Sequence, residues 1–570
     1  MGSDIQFSKL SEEVQIRLGD GRVLIGPRGA TVGEFLKALS DDGLPTIVGS
    51  IVNGELRELT YTIDREADVK PVRLGEPDGM RIYRRSLTFL LEAAFERLFP
   101  EATLTIDHSV FSGGYYCQVE GGERLSQEDL DEMESLMRQM VAEDLPFCRE
   151  EVPLAEAIEF FKSKGMDDKV RLLAHRKKDY LVLYTFGEHR DYHHGYMVPS
   201  SSYIQWFKLN QVEDGFVLRF PRHHAPTEIL PLGRNPKLIA MFRDYGKWLE
   251  RLGISSVGSL NDAISEDRIR EVILVSEALH ERRVAHIASL IAERRADVRI
   301  VLIAGPSSSG KTTFSKRLSI QMLAHGLTPF PLELDNYFVD RDFTPRDENG
   351  EFDFEQLGAL NLKQLNQDLK GLIAGEEVQL PKFDFISGKS VPGEIVQLEP
   401  GQLVILEGIH GLNPDLLPEI PDEQTFRVYC SALTQLNLDR HNRVSTTDTR
   451  LVRRIVRDAR TRGYSPQDTI QRWESVRRGE KRYIFPYQEN ADVMFNSALA
   501  YELAVLKPLA EPLLRQVSYK EPEHVEVKRL LALLEWFLPL DSSLVPDNSL
   551  LLEFIGGSIL KDFKLWKNGK

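Results

Sequence analysis

The sequence predicts an α/β domain, a parallel sheet covered by helices on both faces, preceded by a small β-grasp module and a longer mixed region. Three observations predict it. From about residue 297 to 515, short apolar runs alternate with helical stretches, the pattern of a sheet buried on both sides. The first of those runs, Val298 to Ala304, passes directly into Gly305-Pro306-Ser307-Ser308-Ser309-Gly310-Lys311-Thr312, a complete G-x-x-x-x-G-K-[ST] loop followed by an amphipathic pattern (Phe314, Leu318, Ile320, Leu323). Strand, phosphate loop and helix in that order define an α/β P-loop NTPase fold. At the front, residues 12 to 70 carry short β-like runs around a single helical pattern, as a β-grasp module does.

In chain order, Val14 to Leu18, Val23 to Ile25, Thr46 to Val52 and Leu56 to Tyr61 read as strands. After Thr31, the residues Val32, Phe35, Leu36 and Leu39 share one helical face. Residues 84 to 99 form an amphipathic helix (Leu87, Leu90, Leu91, Ala94, Phe95, Leu98) that Pro100 stops, and residues 262 to 294 read as a connecting helix. In the α/β region Val298 to Ala304, Pro329 to Leu334, Leu403 to Glu407 and Phe426 to Cys430 are strand-like. At about 150 residues per domain, the 570-residue chain requires several domains. The boundaries fall at 1–75, 76–250, 251–296 (a helical connector), 297–520 and 521–570 (a C-terminal extension).

Lys and Arg number 71 against 87 Asp and Glu, a net charge of −16. That balance disfavours a protein that coats nucleic acid or anionic membrane over its whole surface. Cys117, Cys148 and Cys430 lie far apart and make neither a disulfide framework nor a CxxC pair, as in a reducing cytoplasm. No apolar run reaches the ~20 residues that span a bilayer, and the front lacks the apolar core of a signal peptide, so a cytoplasmic protein is expected.

The chemistry concentrates around the loop. Gly305 and Gly310 let the backbone curl so that its N–H groups, with Pro306, Ser307, Ser308, Ser309 and Thr313 alongside, surround a polyphosphate. Lys311 reaches the β- and γ-phosphates and the Thr312 hydroxyl suits Mg²⁺, so ATP or GTP with Mg²⁺ is the expected ligand. Asp335, where the second strand ends, can take the proton of an attacking hydroxyl at the sheet edge where open α/β folds bind ligands. Glu407, closing a third buried strand, suits a Mg²⁺-bound water beside Thr312. Arg440, Arg443, Arg450, Arg453, Arg454, Arg457, Arg460 and Arg462 crowd into one predicted helix and its end, and 450, 453, 454 and 457 share a face. Such density suits a lid that closes over a triphosphate, with Gly463 and Pro466 ending the helix; an RNA-contacting helix is the competing account. No NKxD guanine-reading motif follows the loop, which favours ATP over GTP.

Over roughly residues 297 to 500 these motifs, in order and spacing, resemble the uridine/cytidine kinases of the phosphoribulokinase/uridine kinase group. The resemblance implies that Asp335, in Leu-Asp-Asn-Tyr-Phe, is the general base, with Tyr337 beside the substrate. It implies that Glu355 replaces a ribose-binding aspartate, that Phe383 and Phe385 line a nucleoside pocket, and that Glu407 is the magnesium partner. Arg454, Arg457 and Arg462 match lid arginines, Arg454 toward the acceptor, Arg457 in catalysis and Arg462 on ATP. Three positions depart from the pattern: Gly388 stands where a pyrimidine-contacting His is usual, Arg472 where a base-reading Gln is, and Tyr464 where an Arg follows the lid glycine. Loss of paired donors and acceptors leaves the nucleobase open, while phosphorylation of a hydroxyl survives it. The expected activity is ATP-dependent phosphorylation of a nucleoside 5′-hydroxyl. A kinase for another hydroxylated metabolite, such as a pentose phosphate, and a tRNA-binding or nucleotide-sensing ATPase switch are the alternatives.

The front half resembles another family. Residues 12 to 75 are similar to the TGS module, and residues 76 to about 240 to the second additional domain of threonyl-tRNA synthetases, an α+β editing domain. The matching stretches are Val52-Asn53-Gly54-Glu55-Leu56, Gly113-Gly114-Tyr115-Tyr116, Leu125 to Leu130 and Arg190 to Pro199. In the synthetases this domain uses an HxxxH and a CxxxH pair. Here those positions are Phe89 and Ala93, and His193 and Met197, so at most one of the four ligands remains and metal-dependent editing is expected to be lost. His189, His193, His194, His223 and His224 are expected on the surface or lining a pocket of a retained scaffold. The expected partner is a small nucleoside-like acceptor, with no membrane; nucleic acid is disfavoured, with tRNA and a homo-oligomer left open.

Overall fold

The computed structural model describes residues 11–39, 43–110, 112–347, 350, 352–384, 387–434 and 436–563. The chain divides into two compact units, Met1–Gly233 with Asn437–Arg443 and Ser518–Arg529, and Arg234–Leu436 with Val444–Val517 and Leu530–Lys570.

In the first unit the strands β1 (Glu13–Leu18), β2 (Val23–Pro27), β3 (Ile47–Val52), β4 (Glu55–Arg57) and β5 (Ala67–Arg73) form a sheet in the order β2-β1-β5-β3-β4. Only β1 and β5 run parallel, and helix α1 (Val32–Leu36) lays Val32, Phe35 and Leu36 against the sheet, a β-grasp arrangement. Thr31 starts that helix because its hydroxyl accepts the Glu34 N–H while the Glu34 carboxylate accepts the Thr31 N–H, a reciprocal capping box. Strand β5 is not anticipated by the sequence pattern. Its buried alternation, Ala67, Val69 and Val72, is interrupted by Pro71, which normally argues against a central strand. The run expected at Leu56 to Tyr61 contracts to Glu55–Arg57.

Helix α2 (Pro77–Leu98) begins seven residues before its expected start because Pro77 supplies a first-turn residue without an N–H, and Met80, Ile82 and Tyr83 are buried as well. It lies in one hydrophobic core with parts of two antiparallel sheets. One is ordered β11-β12-β7-β6 from β6 (Thr103–Val110), β7 (Gly114–Glu120), β11 (Lys208–Val212) and β12 (Gly215–Arg219). The other is β10-β9-β8, from β8 (Cys148–Pro153), β9 (Tyr180–Phe186) and β10 (His189–Asp191). Helices α3 (Gln127–Ala142), α4 (Leu154–Ser163) and α5 (Asp167–Ala174) complete the layer.

The second unit opens with helices α6 (Pro236–Leu252), α7 (Val257–Ser265) and α8 (Ile269–Glu293). Its sheet is wholly parallel, ordered β14-β17-β13-β18-β19, from β13 (Ile300–Ala304), β14 (Pro329–Glu333), β17 (Leu403–Glu407), β18 (Thr425–Ser431) and β19 (Val493–Asn496). The four expected strands are present to within two residues at each end. The four-residue β19 is too short to leave a periodic signal. Helices α9 (Lys311–Ala324), α10 (Leu362–Ala374), α11 (Thr446–Thr461), α12 (Pro466–Tyr483) and α13 (Glu502–Leu514) alternate with the strands, and β15 (Val378–Asp384) pairs with β16 (Lys389–Val396) as an antiparallel hairpin. The central strand β13 has β17 on one side and β18 on the other, so the chain leaving its carboxyl end enters the crevice where strand order reverses. Among the described residues no helix is long and apolar enough to cross a membrane.

Candidate active site

Residues Gly305 to Gly310 connect β13 to α9, and two glycines fix the shape of the connection. A Cβ on Gly305 would run into the carbonyl oxygen of Cys430 on β18, and Gly310, the N-cap of α9, has φ +85°, open to glycine at little cost. The Lys311 ammonium donates to the carbonyls of Gly305 (2.9 Å) and Pro306 (3.2 Å), folded back along the loop. Two of the outward amides are held by the chain's own carboxylates: Ser307 N–H donates to Glu480 Oε1 at 3.2 Å, and Thr313 N–H to Glu553 Oε2 at 3.1 Å. Exposed N–H groups at a helix start attract anions. The Ser308 and Ser309 hydroxyls are buried without a partner, so the loop retains unused polar atoms that suit phosphate oxygens.

Asp335 sits in the short 3₁₀ turn Leu334–Tyr337 that follows β14, with its carboxylate reachable by solvent. The surrounding protein raises it above the usual carboxylate range, while Lys311 and Arg462 are close enough to pull it back down. Glu355 is pushed up to about 7, chiefly by burial and by Glu480, with Arg454 and Lys311 opposing and Asp335 adding to the rise. These groups therefore lie close enough to feel one another's charge. Glu407 closes β17 and accepts the Thr312 hydroxyl at 3.0 Å. Burial, aided by Glu553 and Glu333 and opposed by Lys311, pushes it to about 7. A hydroxyl and a crowded carboxylate with an unsatisfied preference for positive charge fit Mg²⁺.

The arginine-rich stretch divides into parts with different work. Arg440 and Arg443 precede α11 and belong to the first unit, where Arg440 pairs with Asp168 at 2.6 Å. Arg450 and Arg453, expected on a lid face, are instead fully buried: Arg450 forms a two-pronged pair with Glu480, and Arg453 pairs with Glu502. Their partners lie on α12 and α13, beyond the reach of a count of neighbouring acids in the sequence. Arg454, Arg457 and Arg462 remain at the cleft, fanned around the buried Asp458 at 3.3, 2.9 and 3.7 Å, and Arg454 also donates to the Ser307 hydroxyl at 2.7 Å. Arg460 instead donates to the carbonyls of Glu553 and Phe554. Gly463, at φ +67°, ends the helix as expected.

Tyr337 is placed differently from the expectation. It belongs to the hydrophobic core and gives its hydroxyl to Asp368 at 3.1 Å, because the 3₁₀ turn directs it beneath the sheet edge. Phe383 is buried edge-on to Phe338, with ring centroids 5.6 Å apart, and Phe338 in turn meets Phe354. Phe385 lies outside the described residues. Two of the departing positions meet: the Arg472 guanidinium stacks on the Tyr464 ring at 4.5 Å. Sequence reasoning missed Glu480, Glu553 and His410. His410, three residues beyond Glu407, is buried, and burial pushes it down to about 4 against the pull of a hydrogen bond to the Glu355 backbone, so it is neutral near pH 7. No motif marks these residues, and only packing brings them to the loop.

The strand–loop–helix crevice, its lysine and the carboxylates around it define a P-loop domain built for phosphoryl chemistry. Residues 300–503 match the family profile described as the phosphoribulokinase/uridine kinase family, so the chain carries a domain of that family. Among solved structures, the domain is similar to a possible uridine kinase from Bacillus stearothermophilus (18% identity, 37% of this chain, 98% of that chain, TM-score 0.25). It is also similar to phosphoribulokinase from Rhodobacter spheroides (16% identity, 35% and 70%, TM-score 0.25). The N-terminal region is similar to threonine–tRNA ligases: that of Clostridioides difficile is 30% identical over 204 residues, covering 36% of this chain and 32% of the ligase. Threonine–tRNA ligase 2 of Bacillus subtilis is 30% identical over 209 residues, with the same coverages. The chain thus spans about a third of the length of the curated ligases it matches.

In the front half, Phe89 and Ala93 are core residues of α2, and Met197 is buried beside them. His193, expected at the surface or lining a pocket, is buried at 4% exposure with its Nε2 2.9 Å from Glu92.

Proposed function

We propose that the chain is an ATP-dependent kinase that transfers the γ-phosphoryl group to the 5′-hydroxyl of a nucleoside. The observation that carries this reading is the shared cleft of Asp335, Glu355, Lys311, Arg454 and Arg462 at the carboxyl edge of a parallel sheet. A bound polyphosphate displaces Glu480 and Glu553 from the loop amides and draws Lys311 off its carbonyls. Asp335 accepts the proton of the acceptor hydroxyl, and Arg457 and Arg462 offset charge on the transferring group, with Arg454 and Glu355 positioning the acceptor. Thr312 and Glu407 would hold Mg²⁺, which supplies electrostatic neutralisation of the phosphates. His410, neutral and held beside the Glu355 backbone, can turn its other ring nitrogen to a polar group of the acceptor.

The fan of arginines around Asp458 favours a second reading, a pentose phosphate as acceptor, because guanidiniums suit a second phosphate. Incubation with γ-labelled ATP against a panel of ribonucleosides, pentose phosphates and tRNA separates the readings. A labelled nucleoside monophosphate supports the first, a labelled bisphosphate the second. Release of phosphate with no labelled acceptor would replace both with an ATPase switch.

A further inference from the structure

We propose that the first unit holds a closed, four-ligand divalent metal site of the zinc type, formed by Glu92, Asp191, His193 and His441. One ligand atom from each lies within 4.8 Å of the others, and all four side chains are buried. Glu92 comes from α2, Asp191 closes β10, His193 follows two residues later, and His441 comes from Asn437–Arg443, the short segment of this unit that precedes α11 in the chain. Three of these four positions lie outside the HxxxH and CxxxH pattern.

The set is built to present its ligand atoms. Asp191 Oδ1 is taken by the Lys169 ammonium (3.0 Å) and the Tyr192 N–H (2.6 Å), which leaves Oδ2 facing His441 Nδ1 at 2.7 Å. Glu92 meets His193 Nε2 with both oxygens, at 2.9 and 3.0 Å, and lies 3.5 Å from His441 Nδ1. The two imidazoles lie nearly parallel, 7° apart. The segment bearing His441 is itself held: Asp439 accepts the N–H groups of His441 and Asn442 at 2.9 Å each, Asn442 bonds His194 N–H and the Tyr192 carbonyl, and Arg443 bonds the Asp107 carbonyl. Such outer hydrogen bonds orient metal ligands.

Charge points the same way. Three fully buried carboxylates, Glu92, Asp191 and Asp439, together with the partly buried Asp168, face two permanent cations: Lys169, 3.0 Å from Asp191 and 3.1 Å from Asp439, and Arg440, 2.6 Å from Asp168. A divalent ion compensates the two remaining negative charges, and buried charge without compensation is costly. A third imidazole, His189, borders the set, its Nε2 3.4 Å from Glu92 and its Nδ1 2.6 Å from Glu96. Two imidazoles and two carboxylates in a closed shell suit tetrahedral Zn²⁺, whose arms of about 2.0–2.1 Å set ligand separations of roughly 3.4 Å, so the pairs now at 2.7 and 2.9 Å open slightly while the wider ones close. With every ligand buried, the ion has a structural role, pinning Asn437–Arg443 to α2 and the turn after β10.

The test uses the full-length chain, stripped with chelator and titrated without nucleotide with Zn²⁺ and, separately, Co²⁺. One equivalent of Zn²⁺ bound per chain, a rise in melting temperature and the visible absorption of four-coordinate Co²⁺ are expected. His441→Gln and His193→Gln should weaken binding by about 100-fold or more and abolish the Co²⁺ band. Glu92→Gln, which keeps side-chain volume, should weaken it as well. Absence of stoichiometric binding by the wild-type chain, or binding unchanged in folded His441→Gln and Glu92→Gln proteins, would show a buried ion-pair network and overturn the proposal.

Discussion

Asp335 and Glu355 are neighbouring carboxylates, yet Glu355 is pushed to about 7 by burial with the carboxylates Glu480 and Asp335 adding to it, whereas Asp335 is raised by burial alone against Lys311 and Arg462. On the proposed reading, that difference suits Asp335 to accept the proton. The raised Glu355 also has a consequence for the unliganded protein. Its folded pKa of about 7 exceeds the ordinary carboxyl value of 4.5, so its native-state proton affinity stabilises the fold at low pH, and that contribution falls as pH rises from 4.5 to about 7. Denaturant unfolding should show wild-type stability declining through that window and Glu355→Gln showing a shallower decline; parallel curves would remove the assignment. Arg453 with Glu502 is a second residue-scale case. Arg453→Met leaves a buried carboxylate unpaired, and a loss of about 3–5 kcal/mol in unfolding free energy is expected by the same assay.

The phosphate loop was fully legible in the sequence because its chemistry is local: glycines, lysine and threonine at fixed spacing between a strand and a helix. The arginine-rich helix α11 was legible only in part. Its spacing placed 450, 453, 454 and 457 on one face, but which of them meet solvent depends on Glu480 and Glu502, brought in by helices that follow later. The short helix Leu552–Ile555 gave no signal at all, yet its Glu553 carboxylate caps the Thr313 amide and Leu550 packs against Gly310. An anionic side chain on that amide competes with a nucleotide phosphate. Glu553→Gln is therefore expected to tighten ATP binding by about 2–10-fold, the equivalent of one modest hydrogen bond, as read by isothermal titration. An unchanged or weaker affinity would make Glu553 a mere helix-end contact.

Across the whole molecule, one chain joins a domain at residues 300–503 that matches the phosphoribulokinase/uridine kinase family to a front region similar to part of threonine–tRNA ligases. The β-grasp module was readable from alternation, except for β5, where Pro71 hides a central strand, and the α/β sheet was readable except for the brief β19. The front half carries Phe89, Ala93 and Met197 at three of the four editing positions, all apolar, so the chain is expected to leave mischarged threonine tRNA intact. Deacylation above the uncatalysed rate would contradict that loss. Any tRNA binding by this region should weaken with salt at about one unit of logarithmic slope per phosphate contact.

The central claim is that the carboxylate at position 335 takes a proton from an alcohol aligned with a loop-bound nucleotide. Rapid-quench measurement of phosphoryl transfer to the best acceptor, in wild type and Asp335→Asn, with ATP affinity measured in parallel, tests it most directly. A turnover fall of about 10²–10⁴-fold with ATP affinity little changed is expected. Equal turnover in the two proteins, or a loss confined to ATP affinity, would contradict it.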